Sequence, residues 1–255
     1  MRGFLFVLCF KNALYSDSSI MTDPFIKMIA DTEWRMDPDL VPYPDAIAFM
    51  ESRVADIANA SAPDCVWLLQ HPPLYTAGTS AKRDDLLDPQ FPVYETGRGG
   101  QYTYHGPGQR VAYVMMDLKR HYKTPDIRAY VHDLEEWVLR TLKILGVAAV
   151  RRAGRVGLWV VDPMTGQEEK IAALGIRIRR GVAYHGVAIN VTPNLSHFQG
   201  IVPCGLAGYG VTSLEKLGVH VPMTRVDDAL QTAFFEVFKP IPPDFVALLT
   251  KSVVS

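Results

Sequence analysis

Three places in the 255-residue chain carry side chains whose type and setting could do chemistry. The first is Cys204, in Val202-Pro-Cys-Gly-Leu206. A free cysteine is most often a small buried hydrophobe. Pro203 and Gly205, however, put this thiol in an irregular turn rather than inside a helix or strand. The backbone at Gly205 has no side-chain cover, so an N–H can come close to a reacting carbonyl oxygen, as in many oxyanion sites. The second place is Lys170, which opens Lys170-Ile-Ala-Ala-Leu-Gly-Ile-Arg177. A lysine at a strand start is ordinarily a solvated charge. Here Ala172, Ala173 and Gly175 follow it, and such small residues leave room on one strand face for something other than the chain's own side chains. The third is Arg98-Gly-Gly-Gln-Tyr-Thr-Tyr-His-Gly-Pro-Gly-Gln109. Paired glycines permit positive φ and close backbone approach to a ligand, and Tyr102 and Tyr104 alternate as on one face of a strand. An ordinary glycine-rich hairpin would read the same way. The stretch is not a phosphate loop: it lacks the Lys-Ser/Thr ending, and its glycine pair does not match G-x-G-x-x-G between a strand and a helix.

The histidines suggest no metal site. His71, His105, His185 and His197 show no HExxH motif and no i, i+4 pairing. His105 and His185 remain candidates because each precedes a glycine, Gly106 and Gly186. Hydrophobic residues make up 48% of the chain and charged residues 21%, with a net charge of −1. That is ordinary globular composition with no global field towards nucleic acid or an anionic membrane, although an acidic partner could still dock on a local basic patch. The cysteines Cys9, Cys65 and Cys204 form an odd, sparse set without CxxC spacing, which argues against a disulfide framework and for a reducing cytoplasm. No apolar run approaches the roughly 20 residues that span a bilayer.

Elements that could position these groups follow from periodicity. Pro42 to Ala60 reads as a helix, with Ile47, Met50, Val54, Ile57 and Ala58 on one face and Pro44 in the first turn. Cys65 to Gln70 is a short buried strand. His71 to Thr79 holds Pro72 and Pro73 and is expected to be irregular. Val93 to Thr96 is strand-like, and Arg110 to Asp117 is a second buried strand. Asp126 to Gly146 is the clearest helix, capped by Thr124-Pro125, with Ile127, Tyr130, Val131, Leu134, Val138, Leu142 and Leu145 as its stripe. Three strands follow, Val156 to Val161, Lys170 to Ile178 and Val182 to Val191, joined by short turns that favour antiparallel neighbours. Helices are expected at Arg225 to Phe238 and from Asp244. The fold class is α+β: a mixed, largely antiparallel sheet packed with helices. Residues 1–20 hold the apolar run Gly3 to Phe10 and read as an extension, disordered or a mis-assigned start, with a targeting sequence as the alternative. Residues 21–255 are expected to form a single catalytic domain.

Taken together these segments resemble the lipoyl(octanoyl) transferase family. Arg98 to Gln109 is similar to the family signature along its whole length. His71-Pro-Pro-Leu-Tyr-Thr-Ala-Gly78, Lys170-Ile-Ala-Ala-Leu-Gly175, His185-Gly-Val-Ala-Ile-Asn-Val191 and Pro203-Cys-Gly-Leu206 resemble further family segments, in the family order, over roughly Val41 to Leu217. The resemblance implies the fold of the biotin and lipoate protein ligase catalytic domains. It implies that Cys204 accepts the acyl group with Lys170 as its partner. The acyl pocket would then be formed by Arg98, Gly99, Gly100, Gln101, Tyr102, Thr103, Tyr104 and His105, by Ala173, Leu174 and Gly175, and by Gly186, Val187 and Ala188. The implied reaction moves an octanoyl group from octanoyl-acyl carrier protein to a lysine of lipoyl domains, those of the 2-oxoacid dehydrogenase complexes and the glycine cleavage H protein. The implied reaction needs no cofactor, ATP or metal, and takes place without nucleic acid or membrane. An ATP-dependent lipoate or biotin ligase of the same fold is the alternative, and a non-catalytic acyl carrier is a third reading. Cys204 and Lys170 weigh against both.

Overall fold

The protein, as a computed structural model, is described over residues 25–29, 31–122, 126–162, 164–202 and 209–238. Its elements in chain order are β1 (Ile26–Ile29), β2 (Thr32–Leu40), α1 (Tyr43–Ala58), β3 (Asp64–Gln70), β4 (Leu74–Ala77), β5 (Val93–Glu95), β6 (Tyr102–His105) and β7 (Gln109–Asp117). There follow α2 (Leu118–His121), α3 (Ile127–Ile144), β8 (Val150–Arg152), β9 (Arg155–Val161), β10 (Glu168–Arg179), β11 (Val182–Asn190), β12 (Gly210–Val211) and α4 (Met223–Val237). The large sheet runs β1-β2-β3-β7-β11-β10-β9-β8, with β12 pairing β10. Only β2 with β3 and β12 with β10 are parallel in it; its other pairs are antiparallel. A three-stranded sheet, β5-β4-β6, stands apart from it. This is the mixed, largely antiparallel α+β architecture expected from the sequence.

Strand alternation divides the large sheet into two faces. On one face Ala112, Val114, Met116, Ala183, Val187 and Ile189 join the core under α3 and α4. On the other, Val111, Tyr113, Met115, Val182, Tyr184 and Ala188 pack with Ala46, Met50, Val54 and Ile57 of α1. Those α1 residues recur at spacings of three and four, which is what seats one stripe of a helix on a sheet. Asp126 caps α3 by accepting from the Arg128 and Ala129 amides. Trp137, absent from the expected stripe, is fully buried and donates from Nε1 to the Leu230 carbonyl of α4 at 2.7 Å.

Three expectations need correction or fall elsewhere. The segment His71 to Thr79 is not wholly irregular, because Leu74–Ala77 forms β4. Pro72 and Pro73 precede the strand, so no ladder donor is lost. The strands β1 and β2 were not expected. Pro38 and the charged residues of β2 obscure its alternation, yet it pairs β3 in parallel from Thr32↔Asp64. Ile127, assigned to the apolar stripe, is 54% exposed. The N-terminal extension at 1–20, the Thr124-Pro125 cap, the helix from Asp244 and the Cys204 turn lie outside the described residues.

Candidate active site

The α1 side of the large sheet is covered by α1 over β3, β7 and β11 but opens over β10 and β11. There the floor is made of small residues: Ala173 and Gly175 on β10, Gly186 and Ala188 on β11, with Val111 and Tyr113 of β7 at one side. The register sets Ala173 opposite Ala188 and Gly175 opposite Gly186, so the small residues pair across the strands. The result is a cavity of about 290 Å³, roofed by the loop Arg98 to Thr103, His105, Ser80 and Tyr43. That is close to the lower end of the roughly 300–1,000 Å³ of small-molecule sites. Gly186 is compelled by close packing, since a Cβ there would lie 2.1 Å from the Ala112 carbonyl oxygen.

Arg98 builds the roof. It is only 8% exposed. Its guanidinium donates to the Thr76 carbonyl (2.9 Å), the Thr76 hydroxyl (2.7 Å), the Gln101 carbonyl (2.9 Å) and the Gly99 carbonyl (3.0 Å). These bonds tie the loop to β4, while the Gly99 amide donates to the Ile176 carbonyl of β10 at 2.9 Å. A planar five-donor group is suited to holding several carbonyls at once. Arg98 thus shapes the pocket from within as well as lining it.

Lys170 lies at one end. It is 5% exposed, and its Nζ donates to the Val156 carbonyl at 2.7 Å and sits 5.0 Å from the Trp159 ring centroid. Gly157 makes room for it: with φ +115° there, an added Cβ would lie 2.7 Å from both the Lys170 Cε and the Ala172 carbonyl oxygen. The β9–β10 register shifts between Lys170 and Ala172, a local irregularity beside this side chain. Val156 itself lines the cavity, as do Gly154 and Arg155, so the ammonium abuts its wall. Cys204 lies outside the described residues. Cys65 is fully buried and burial pushes its thiol up to about 12, which makes it an inert core residue at neutral pH.

Behind the His105 and Tyr113 wall of the cavity lies a buried polar network. His71 Nδ1 contacts the Val41 carbonyl at 2.6 Å, which fixes the proton there, and its Nε2 accepts from the Tyr113 hydroxyl at 2.7 Å. Gln109 donates from Nε2 to the Tyr104 carbonyl and to Asn190 Oδ1, leaving its Oε1 to accept from His105 Nδ1 at 2.9 Å. Asn190 Nδ2 donates onward to the Thr212 carbonyl, and the Thr212 amide donates to the Lys170 carbonyl, both at 2.9 Å. Burial holds all three imidazoles neutral, lowering His71 to about 4 and His105 and His185 to about 3.

Of the residues singled out from sequence, the structure gathers Arg98, Gly100, Gln101, Tyr102, Thr103, His105, Ala173, Leu174, Gly175, Gly186, Val187 and Ala188 around one cavity. It does not bring Gly99 or Tyr104 to the wall. Tyr104 packs away from it, with its hydroxyl 2.7 Å from His197 Nδ1 in the cluster with Tyr75 and Phe198. Sequence reading missed Tyr43, Tyr113, Val156 and Gly157. The glycines that bracket Arg155-Val156 were the available signal; nothing local marked the two tyrosines.

An α+β sheet with a roofed cavity of small-molecule size and a buried lysine beside its wall defines a protein that binds a small ligand. The solved structures agree on the fold. A bipartite lipoate protein ligase from Thermoplasma acidophilum has a TM-score of 0.58 at 18% identity, covering 78% of this chain and 81% of that one. Lipoate-protein ligase A bound with ATP has a TM-score of 0.61 at 17% identity, covering 80% and 84%. The family model described as the lipoyl protein ligase A/B catalytic domain matches residues 42–235, and the chain belongs to that family. Among curated relatives, the octanoyltransferase of Bradyrhizobium diazoefficiens is 61% identical over 212 residues, 82% of this chain and 84% of that protein. The octanoyltransferase of Paramagnetospirillum magneticum is 61% identical over 207 residues, 81% of this chain and 96% of that protein.

Proposed function

We propose that the protein is an acyltransferase that moves an octanoyl group from the thioester of an acyl carrier protein to a lysine of a lipoyl domain. The thiol of Cys204 takes the acyl group in between, assisted by Lys170, in a reducing cytoplasm where that thiol stays free. The observation that carries the reading is the buried Lys170 ammonium held against the wall of the cavity by the Val156 carbonyl. The octanoyltransferase relatives at close to 60% identity support the acyl group concerned.

A free thiol has a pKa near 8.5, so little is thiolate at neutral pH. An ammonium beside Cys204 favours the thiolate. The thiolate attacks the carrier thioester carbonyl; the carrier C–S bond breaks, a new C–S bond forms, and the departing carrier thiolate takes the proton of the Lys170 ammonium, leaving that amine neutral. The lipoyl-domain amine then attacks the acyl-enzyme. Its C–N bond replaces the C–S bond, and Lys170, neutral at that point, accepts the surplus proton. Burying the acyl chain at about 0.8 kcal/mol per CH₂ supplies several kcal/mol of binding, while each single methylene discriminates only modestly.

Intact-mass spectrometry after mixing the protein with octanoyl carrier protein, without ATP, tests this. The expected result is a gain of one octanoyl group that is lost in Cys204→Ala and becomes a stable ester in Cys204→Ser. Modification of a lipoyl domain only when ATP and free octanoate are supplied would instead make the protein a ligase.

A further inference from the structure

His185 breaks the alternation of β11. Its neighbours Ala183 and Val187 face α3 and α4, and by period two His185 would join them. Its φ is +63°, a left-handed conformation costly for a residue with a Cβ. The twist brings the ring to the opposite face, stacked on Tyr184 at 4.9 Å and edge-on to Tyr113 at 6.1 Å, where it lines the cavity. The residue is 3% exposed, and neither ring nitrogen has a hydrogen-bond partner among the described residues. A neutral imidazole presents one acceptor nitrogen and one N–H; the Arg98 and Arg177 cations lie near this ring, and two further groups on the same cavity offer acceptors. His105, 7% exposed, has Nδ1 committed to Gln109, so its Nε2 carries a lone pair without a partner. The Tyr113 hydroxyl donates its hydrogen bond to His71 Nε2, so toward the cavity its oxygen can only accept. A purely hydrocarbon occupant would leave these lone pairs desolvated and unmet, which costs about 1–3 kcal/mol per group.

The place along the cavity matters. The Lys170 ammonium sits beside Gly157 at the level of Ala172, whereas His185 pairs Ile176. Four residues of strand separate those levels, about 13 Å at the usual rise. An extended eight-carbon chain with its carbonyl beside Lys170 covers about 9 Å of that span, and a hydroxyl on its eighth carbon, with a hydrogen bond of about 2.8 Å, covers the rest to His185.

We propose that this polar end wall makes the cavity a site for a medium-chain acyl group bearing a hydroxyl near its far end, with His185 as the residue that reads it. The inference rests on the octanoyl-transfer reading and names a further acyl class for the same site. The reaction is unchanged: the C–S bond of the thioester is replaced by C–N, and the distal hydroxyl only donates a hydrogen bond.

The test compares transfer of octanoyl, nonanoyl and 8-hydroxyoctanoyl groups from carrier thioesters to a lipoyl domain by the full-length protein. Nonanoyl and 8-hydroxyoctanoyl chains have the same number of heavy atoms, so their ratio isolates the hydroxyl and is independent of the fraction of active protein. In the wild type, 8-hydroxyoctanoyl should exceed nonanoyl about tenfold in kcat/KM. In His185→Phe, which keeps a ring but no nitrogen, the ratio should fall to one or below. In His185→Asn, which tolerates positive φ and keeps an acceptor, it should partly recover. A wild-type ratio at or below one overturns the inference whether or not the Phe variant folds, as does a ratio unmoved in a folded Phe variant. Absence of octanoyl transfer itself would overturn the underlying functional reading instead.

Discussion

At the scale of single residues, the site depends on fit around two buried cations. Gly157 has φ +115°, and a methyl group there would press on Lys170 Cε from 2.7 Å. Gly157→Ala should therefore slow octanoyl transfer at least tenfold, about 1.4 kcal/mol or more in the barrier, and the strained φ and the press on the Ala172 carbonyl should also lower its thermal midpoint by roughly 5–10 °C, so the rates are compared well below that midpoint. A single-turnover rate within twofold of wild type would mean that Lys170 does not need its present position. Arg98 is the second case. One ammonium cannot replace a fork that meets three carbonyls and the Thr76 hydroxyl. Arg98→Lys should cost about 2–4 kcal/mol in urea denaturation, because buried carbonyls lose their donors. It should also raise KM for the acyl donor more than it lowers kcat, since the roof loosens.

At the scale of elements, the Asn190 side chain joins parts that are distant in sequence. It accepts from Gln109 at the start of β7 and donates to Thr212, which follows β12 and binds the Lys170 main chain. Removing the amide in Asn190→Leu leaves the Gln109 amide without one acceptor and the Thr212 carbonyl without its donor. A loss of about 2–5 kcal/mol is expected for two such buried groups. Hydrogen exchange should show the Thr212 amide losing protection more than amides in α1. Uniform loss across the protein would mean the link is no more local than any core contact. Several elements were plain in the sequence: the spacing of Met50, Val54 and Ile57 for α1, and the apolar runs of β3 and β7. Others were not, because β2 carries its charges on a strand with few open faces, and β4 follows two prolines that suggested a break.

At the scale of the whole molecule, three buried neutral imidazoles oppose one buried acid. His71 falls to about 4 and His105 and His185 to about 3, so between those values and 6.5 the unfolded chain binds protons that the folded one does not. Stability rises with pH there and is lost on acidification. Asp227, paired with Arg110 at 2.8 Å, is raised to about 6 by burial and acts with the opposite sign between 3.8 and 6. Three against one leaves a net uptake of about two protons on unfolding near pH 5, a slope of about 2.7 kcal/mol per pH unit. Urea midpoints at pH 7.5, 6 and 5 should fall steeply below 6.5; a flat profile would contradict buried neutral histidines. The sequence by itself determined the α+β class, the principal helices and strands, and the segments around the cavity, because periodicity and glycine placement are local properties of the chain. Only the tertiary structure decided that Tyr104 turns away while Tyr113 and Tyr43 face the cavity. It also decided that His185 crosses to the other face of its strand and that Gly157 yields its space to Lys170. Those outcomes depend on cross-strand register and on close contacts between residues far apart in the chain, which no local pattern encodes.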